Sequence, residues 1–511
     1  MEKKIGKRLR QRKQKIQYRL RDINWPEQSK PMFSAGNIHY EMADRARGLA
    51  YGGIGAMHLL AKRTGLVKAI DDKLKLLKLH LPYHESDHVL NIAYNILCNG
   101  DCLEDIERLR NDEVYMDALG AKRIPDPTTA GDFCRRYSEQ DVHILLNAIN
   151  EVRTRVWAKQ PDEFFEQAVI DADGTIAETT GQCKEGMDIS YKGIWGYHPL
   201  LISLANTSEP LYLVNRSGNC TSSAGAAFYL HQAKDLCLTA GFRKILMRGD
   251  TDFSQTRELD RWDNDQRVTF IFGINAMRNL ESIADNLPEG LWMPLLRPAK
   301  YEVRTEPRQK PANVKERIVA EREYKNIRLE SEHVAEFEYS PTKCKKTYRM
   351  IVLRKNLSVE RGENVLFDEI RYFFYITNDR VSSAAKIVRL ANERCNQENL
   401  IEQLKNAVKA LRMPVDNLVS NWAYMVMASL AWTLKAWFAL SLSEKGRWKQ
   451  KHKAQKHTVL KMEFKRFRNS FIELPCQIVK TGRKIVYRLL SWNPWLHVFF
   501  RGFWALRYSP G

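Results

Sequence analysis

Apolar positions recur at helical spacing from about residue 43 to residue 157, in runs such as MHLLAKRTGLVKAIDDKLKLL and HVLNIAYNILCNG. Gly100, Gly120 and the Pro125–Pro127 segment interrupt them, which predicts a small all-helical module. At Gln167 the texture changes to short apolar strands: AVIDADGT, PLLISLA at 199–205 and LYLVN at 211–215. Three consecutive strands predict a meander. A helix over 224–239, ended by Gly241, leads into a buried strand, RKILMRGD, then a short helix over 254–262 and a fifth strand, VTFIFGIN.

Between about Pro288 and Phe367 the chain becomes charge-rich while apolar and polar positions alternate, as in KYEVRTE, RIVAEREYKNIRLES, AEFEYS and KTYRMIVLRKN. This predicts a β-rich insertion. RYFFYITND then returns as a strand, and Ser382 or Ser383 can cap one long helix, AAKIVRLANERCNQENLIEQLKNAVKAL. The order of elements predicts an α/β fold: a ribonuclease-H-like mixed sheet flanked by helices, interrupted by the β-rich insertion and preceded by an N-terminal all-helical domain. The corresponding divisions are a basic arm at 1–40, a helical DNA-binding domain at 41–160 and the first part of the core at 161–285. The insertion follows at 286–368, the second part of the core at 369–443 and a basic, aromatic C-terminal region at 444–511.

One segment, Trp422 to Leu442, is long and apolar enough to cross a bilayer, with Lys435 inside it. Its apolar residues run all round the helix and both flanks look soluble, which favours a helix buried in a large core. The 81 Lys and Arg against 61 Asp and Glu give a net charge of +20, a field that attracts polyanions, nucleic acid foremost; solubility alone is the blander explanation. The first thirty residues concentrate that charge, Arg12 and Lys13 among it, and predict an arm that stays flexible without a partner. Thr128, Thr129 and Asp132 offer caps before FCRRYS, which would set Arg135 and Arg136 near a helix start; helix–turn–helix DNA binding and plain helical packing both fit. The nine cysteines are scattered without paired CxxC units, which speaks against structural zinc and for a reducing compartment. With no apolar signal core in MEKKIGKRLRQRKQ, a cytoplasmic location is expected.

The candidate chemistry lies in three acids. Asp173, in AVIDADGT, falls where a strand meets the sheet edge, with Gly174 letting the backbone turn away. Asp171 shares its strand face and is either a supporting acid or a competitor for the role. Asp250 closes a second buried strand, with Asp252 a cap beyond it, and Glu398 lies on the long helix. Two Asp and one Glu suffice for a pair of Mg²⁺ ions, with Mn²⁺ as substitute, because hard cations take oxygen ligands. Such a pair can cut or transfer a phosphodiester. Arg394, Glu398, Glu402 and Lys405 share one helix face, either as a solvated salt-bridge stripe or as a metal ligand with Arg394 and Lys405 gripping phosphates. Basic and aromatic residues from Lys445 onward can hold DNA or simply pack.

DADGT, GQCKEG followed by YHPLL, RGDTDF and the ERCNQENLIEQLK helix occur in the order seen in DDE transposases of bacterial insertion sequences. Over roughly residues 45–490 the chain most closely resembles the insertion sequence 1380 family. The resemblance implies that Asp173, Asp250 and Glu398 hold the metals and that the enzyme cuts and joins DNA as a homodimer on paired element ends, in the bacterial cytoplasm at the nucleoid. It also matches Arg394, Glu398 and Lys405 to a helix signature whose tyrosine is replaced here by Ala391, and it makes Trp292 a weak candidate for stacking a flipped base; a core tryptophan is the alternative. A repurposed, inactive DNA-binding relative and a ribonuclease-H-like nuclease without strand transfer are the alternative functions.

Overall fold

A computed structural model of the chain describes residues 2–21, 32, 38–40, 46–181, 184–297, 325–361, 364–482 and 484–508. Its centre is one sheet of nine strands: β1 (Gln167–Gly174), β2 (Leu200–Leu204), β3 (Glu209–Val214), β4 (Lys244–Gly249), β5 (Val268–Ile274), β6 (Met293–Pro294), β7 (Lys325–Tyr339), β8 (Tyr348–Arg361) and β9 (Asn364–Thr377). The spatial order is β6-β7-β8-β9-β5-β4-β1-β2-β3. β1, β4 and β5 run parallel, while β2 is antiparallel to both β1 and β3. The half β3-β2-β1-β4-β5 is the ribonuclease-H-like arrangement, with the helix Ala226–Thr239 as its crossover.

The β-rich insertion extends this sheet instead of standing apart from it. β9 pairs antiparallel with β5, from Phe374 opposite Ile274 to Thr377 opposite Ile271, so the strand expected to return as RYFFYITND is the last part of a longer one. The stretch KYEVRTE and the start of RIVAEREYKNIRLES lie outside the described residues. Ala384, Ile387 and Val388 of the helix Ala384–Asn392 cover one face of the sheet, closing a small apolar cluster with Leu246, Ile271 and Leu353.

The other cluster runs from Leu49 to Leu506 and takes in the N-terminal helices, the first half of the sheet and the C-terminal region. The helix Leu418–Leu440 passes through it, with every residue from Ser420 to Leu440 buried. Its tryptophans explain how so apolar a helix docks on protein: Trp422 donates to the Leu213 carbonyl at 2.6 Å, Trp432 to the Ser208 carbonyl at 2.6 Å and Trp437 to Glu209 at 2.9 Å. Each indole buries a large apolar body and still satisfies its N–H on β3 or the turn before it. Lys435, fully buried, donates to the Leu460 carbonyl at 2.9 Å and lies 3.6 Å from the centre of the Trp432 ring.

Two local expectations change. The basic arm includes a helix, Glu2–Arg19, rich in Lys, Arg and Gln, all good helix formers. Helix Pro127–Arg135 is capped by Asp126, which accepts from the Thr129 amide at 2.9 Å, so Thr128, Thr129 and Asp132 lie inside it and Arg135 and Arg136 fall at its end. The following helix, Glu139–Trp157, packs on Leu66–Lys73 and Leu418–Leu440, which anchors this pair in the core.

Candidate active site

Residues alternate across a strand, so Asp171 and Asp173 on β1 share a face, but their surroundings differ. Asp171 stands in register with Arg248 of β4, which donates to both of its oxygens, at 2.7 and 2.8 Å, and to the Leu390 carbonyl at 2.7 Å. Both side chains are almost fully buried, and burial raises the Asp171 pKa against the pull of Arg248. Asp171 is therefore held in a core ion pair.

Asp173, two residues nearer the strand end, is 9% exposed and points to Arg394 instead. Asp250 follows the last residue of β4 and caps the next turn itself, accepting from the Asp252 amide at 3.0 Å; the capping role expected of Asp252 belongs to Asp250. The expected long helix is broken between Asn392 and Cys395 by i to i+3 turns at Glu393 and Arg394, and it resumes as Cys395–Glu402 and a π-helical segment, Gln403–Ala407. Buried Gln397 holds the second piece to the sheet through the Leu201 carbonyl at 3.2 Å and the Ser203 hydroxyl. Glu398, one residue on, is left largely exposed.

The break turns Arg394 into the space between the acids. Its Nη1 donates to Asp173 at 2.9 Å, and its Nη2 lies 3.9 Å from a carboxylate oxygen of Asp250 and 3.9 Å from one of Glu398. Burial, opposed by Arg394 and reinforced by the Asp250 charge, raises the Asp173 pKa to about 6. Burial likewise raises that of Asp250. On Arg394 burial acts to lower the pKa, and the surrounding carboxylates outweigh it. Three carboxylates from two strand ends and a helix, gathered on one cation, form an oxygen-only donor set that fits hard divalent ions.

The other candidates are dispersed. Lys405 donates to the Ile176 carbonyl at 2.7 Å, tying the π-helical segment to the chain just past β1. Ala391 packs against the small apolar cluster. Arg135 is paired with Asp132 and Asp416, while Arg136 is exposed. Arg12 donates to the Leu489 and Ser491 carbonyls, and Lys13 faces solvent. Trp292 is buried, with Arg354 lying 4.2 Å from its ring centre and Tyr372 beside it, so its accessible face is filled by protein instead of being open to a base. Sequence reasoning passed over His198 and Arg216, which stand beside Gly174; a lone Arg after a strand reads as an ordinary surface charge.

A family model described as transposase DDE domain, group 1, matches residues 49–510. No curated protein matches the chain. Among solved structures, the chain is similar to the piggyBac transposase in a cryo-EM synaptic complex with hairpin DNA, at 11% identity and a TM-score of 0.34, over 84% of this chain and 83% of that one.

Proposed function

The chain belongs to the transposase DDE domain family, group 1, and from that premise we propose that it cuts and joins DNA strands at the ends of a bacterial insertion sequence related to the insertion sequence 1380 family. Domains of this family use divalent metal ions. Asp173, Asp250 and Glu398 would hold Mg²⁺, or Mn²⁺ in its place, as a pair of ions. When bound, such ions stabilise charge on the scissile phosphate and activate the attacking water or 3′-hydroxyl.

The observation that carries this reading is the convergence of the three carboxylates on Arg394, within 2.9 to 3.9 Å. The chain's own groups then divide the work. Asp173 and Asp250 are fixed at strand ends, Gln397 sets the position of Glu398, and Arg394 supplies donors next to the acids for a phosphate oxygen. A net charge of +20 supports DNA as the partner, with exposed Arg136 and Lys13 among the groups free to meet it. A homodimer holding paired ends, in the cytoplasm at the nucleoid, completes the proposal.

The test is cleavage and joining of a duplex carrying the terminal repeat that brackets the reading frame, with Mg²⁺ or Mn²⁺. Asp173→Asn, Asp250→Asn and Glu398→Gln should each abolish both steps while leaving DNA binding in place. Retained cutting by any of the three would sink the assignment of that residue.

A further inference from the structure

A cleft of about 880 Å³ opens where the N-terminal helices, the end of the core helix Leu418–Leu440 and the C-terminal region meet. Arg63, the last residue of helix Ile54–Arg63, and Lys159, just past helix Glu139–Trp157, line it from the N-terminal module; Lys445 and Lys449 line it from the C-terminal region. All four are exposed, and none has an ion pair among the described residues. Lys456 lies two turns beyond Lys449 on the same face of helix Lys449–Lys461 and is 9% exposed. It donates to Gln160 Oε1 at 2.7 Å and pairs with Glu444 at 2.7 Å, while Gln160 donates to the Val156 and Leu440 carbonyls at 3.1 and 3.3 Å. These bonds tie all three parts of the cleft together. Glu444 is the one carboxylate on the lining, and Lys456 already neutralises it.

Cations near helix C-termini offset the helix dipole, which accounts for Arg63 and Lys159 one at a time. It does not account for four unpaired cations from separate segments around one concavity, where like charges focus a positive field. The match for that field is a polyanion. A water takes roughly 30 Å³, so the space has room for a run of backbone and its hydration, not for one small anion alone. Trp448, 56% exposed, stands in the chain between the lining residues Gly446 and Lys449, with Arg447 and Lys451 at 5.2 and 5.8 Å from its ring centre. An exposed ring among cations suits sugars and bases on a phosphate chain better than it suits an acidic peptide.

The cleft is far from the acids. Asp173 stands opposite Leu201 and Leu201 opposite Leu213, whose carbonyl accepts from Trp422, so the start of the core helix is level with the candidate active site. At roughly 1.5 Å per residue, the helix carries Leu440, on the cleft lining, about 27 Å beyond Trp422. We propose that the cleft seats a stretch of duplex DNA backbone, at least about eight base pairs, at about 3.4 Å each, from the phosphate being cut. That the seated DNA is also the DNA being cut rests on the strand-cutting reading above; that the cleft takes DNA does not.

The cleft is tested with a fluorescent duplex several turns long, of arbitrary sequence and without divalent metal, titrated by anisotropy across a range of salt. Arg63→Gln with Lys159→Gln, and separately Lys445→Gln with Lys449→Gln, should each flatten the fall of log K against log salt by about 0.9 to 1.8, the share of one to two phosphates. The replaced side chains are exposed and unpaired, so melting temperatures should hold; if one pair fails to fold, the other carries the test. Wild-type slopes in the folded variants overturn the cleft. Polyglutamate at equal charge concentration should displace the duplex less well than unlabelled DNA, and equal or better displacement overturns DNA as the occupant. The second arm uses the terminal-repeat duplex with Ca²⁺ in place of Mg²⁺, trimmed from either end. Wild-type affinity should rise roughly tenfold once one arm passes about eight base pairs, and the gain should vanish in the variants. A gain of the same size in wild type and variants overturns the placement on the cut DNA. Failure of the wild type to cut that duplex with Mg²⁺ is a separate result: it strikes the strand-cutting reading and leaves the salt arm standing.

Discussion

Arg248 grips Asp171 through both carboxylate oxygens, at 2.7 and 2.8 Å, in the middle of the sheet. Removing one member of such a pair leaves the other buried and uncompensated, which costs about 3–5 kcal/mol. Asp171→Asn is therefore expected to lower the melting temperature sharply. In protein that does fold, metal affinity measured by calorimetry should stay within a few-fold of wild type, whereas Asp173→Asn should lose most of it.

The raised pKa of Asp173 makes stability depend on acidity in a definite direction. Between the ordinary carboxylate range and about 6 the folded chain binds a proton at Asp173 that the unfolded chain has released, so stability falls as pH rises across that interval and then levels off. At about 1.4 kcal/mol per pKa unit, the loss reaches up to about 3 kcal/mol. Melting curves from pH 4 to 7 should show wild type losing ground to Asp173→Asn, with Mg²⁺ restoring it above pH 6 in wild type alone.

Lys435 carries the opposite sign. Burial holds its pKa well below the ordinary lysine value, so over the interval where the unfolded chain keeps a proton that the folded chain has released, stability rises with pH toward the unfolded value near 10. Lys435→Met should melt higher than wild type at pH 7 and lose that advantage by pH 10. A constant difference across that range would show that the amine is not neutral in the folded chain.

Gly53 has no room for a methyl group: its Cβ would fall 1.7 Å from the Phe471 carbonyl oxygen and 2.6 Å from the Ile472 Cα. Gly53→Ala should push the 471–474 segment off the N-terminal helices, at a cost of about 1–3 kcal/mol or more. Limited proteolysis should then cut near residues 444–475 in the variant and not in wild type.

Asp173 and Asp250 stand out in the sequence because an apolar run ending in a carboxylate is a local pattern, and each closes such a run. What separates Asp173 from Asp171 is not local, since it depends on Arg248 standing opposite across two parallel strands far apart in the chain. The break at Arg394 is equally silent, for ANERCNQ contains neither Gly nor Pro to mark it. Among the described residues of the β-rich segment the alternation does mark strands, but their union with the main sheet rests on the long-range pairing of β9 with β5. The Trp-rich helix was identified as a core element by its composition and flanks, and the indole bonds to Leu213, Ser208 and Glu209 supply the reason.

The two-residue strand Gly48–Leu49 pairs with Gln477 and Cys476, and Gly52 and Gly53 donate to the Leu474 and Ile472 carbonyls. During synthesis the early helices thus wait for partners encoded more than four hundred residues later. A chain cut off before residue 472 would still hold the packing of these helices on one another and on Leu418–Leu440, but would leave the backbone groups of Gly48 to Gly53 without the strand and carbonyls that close them.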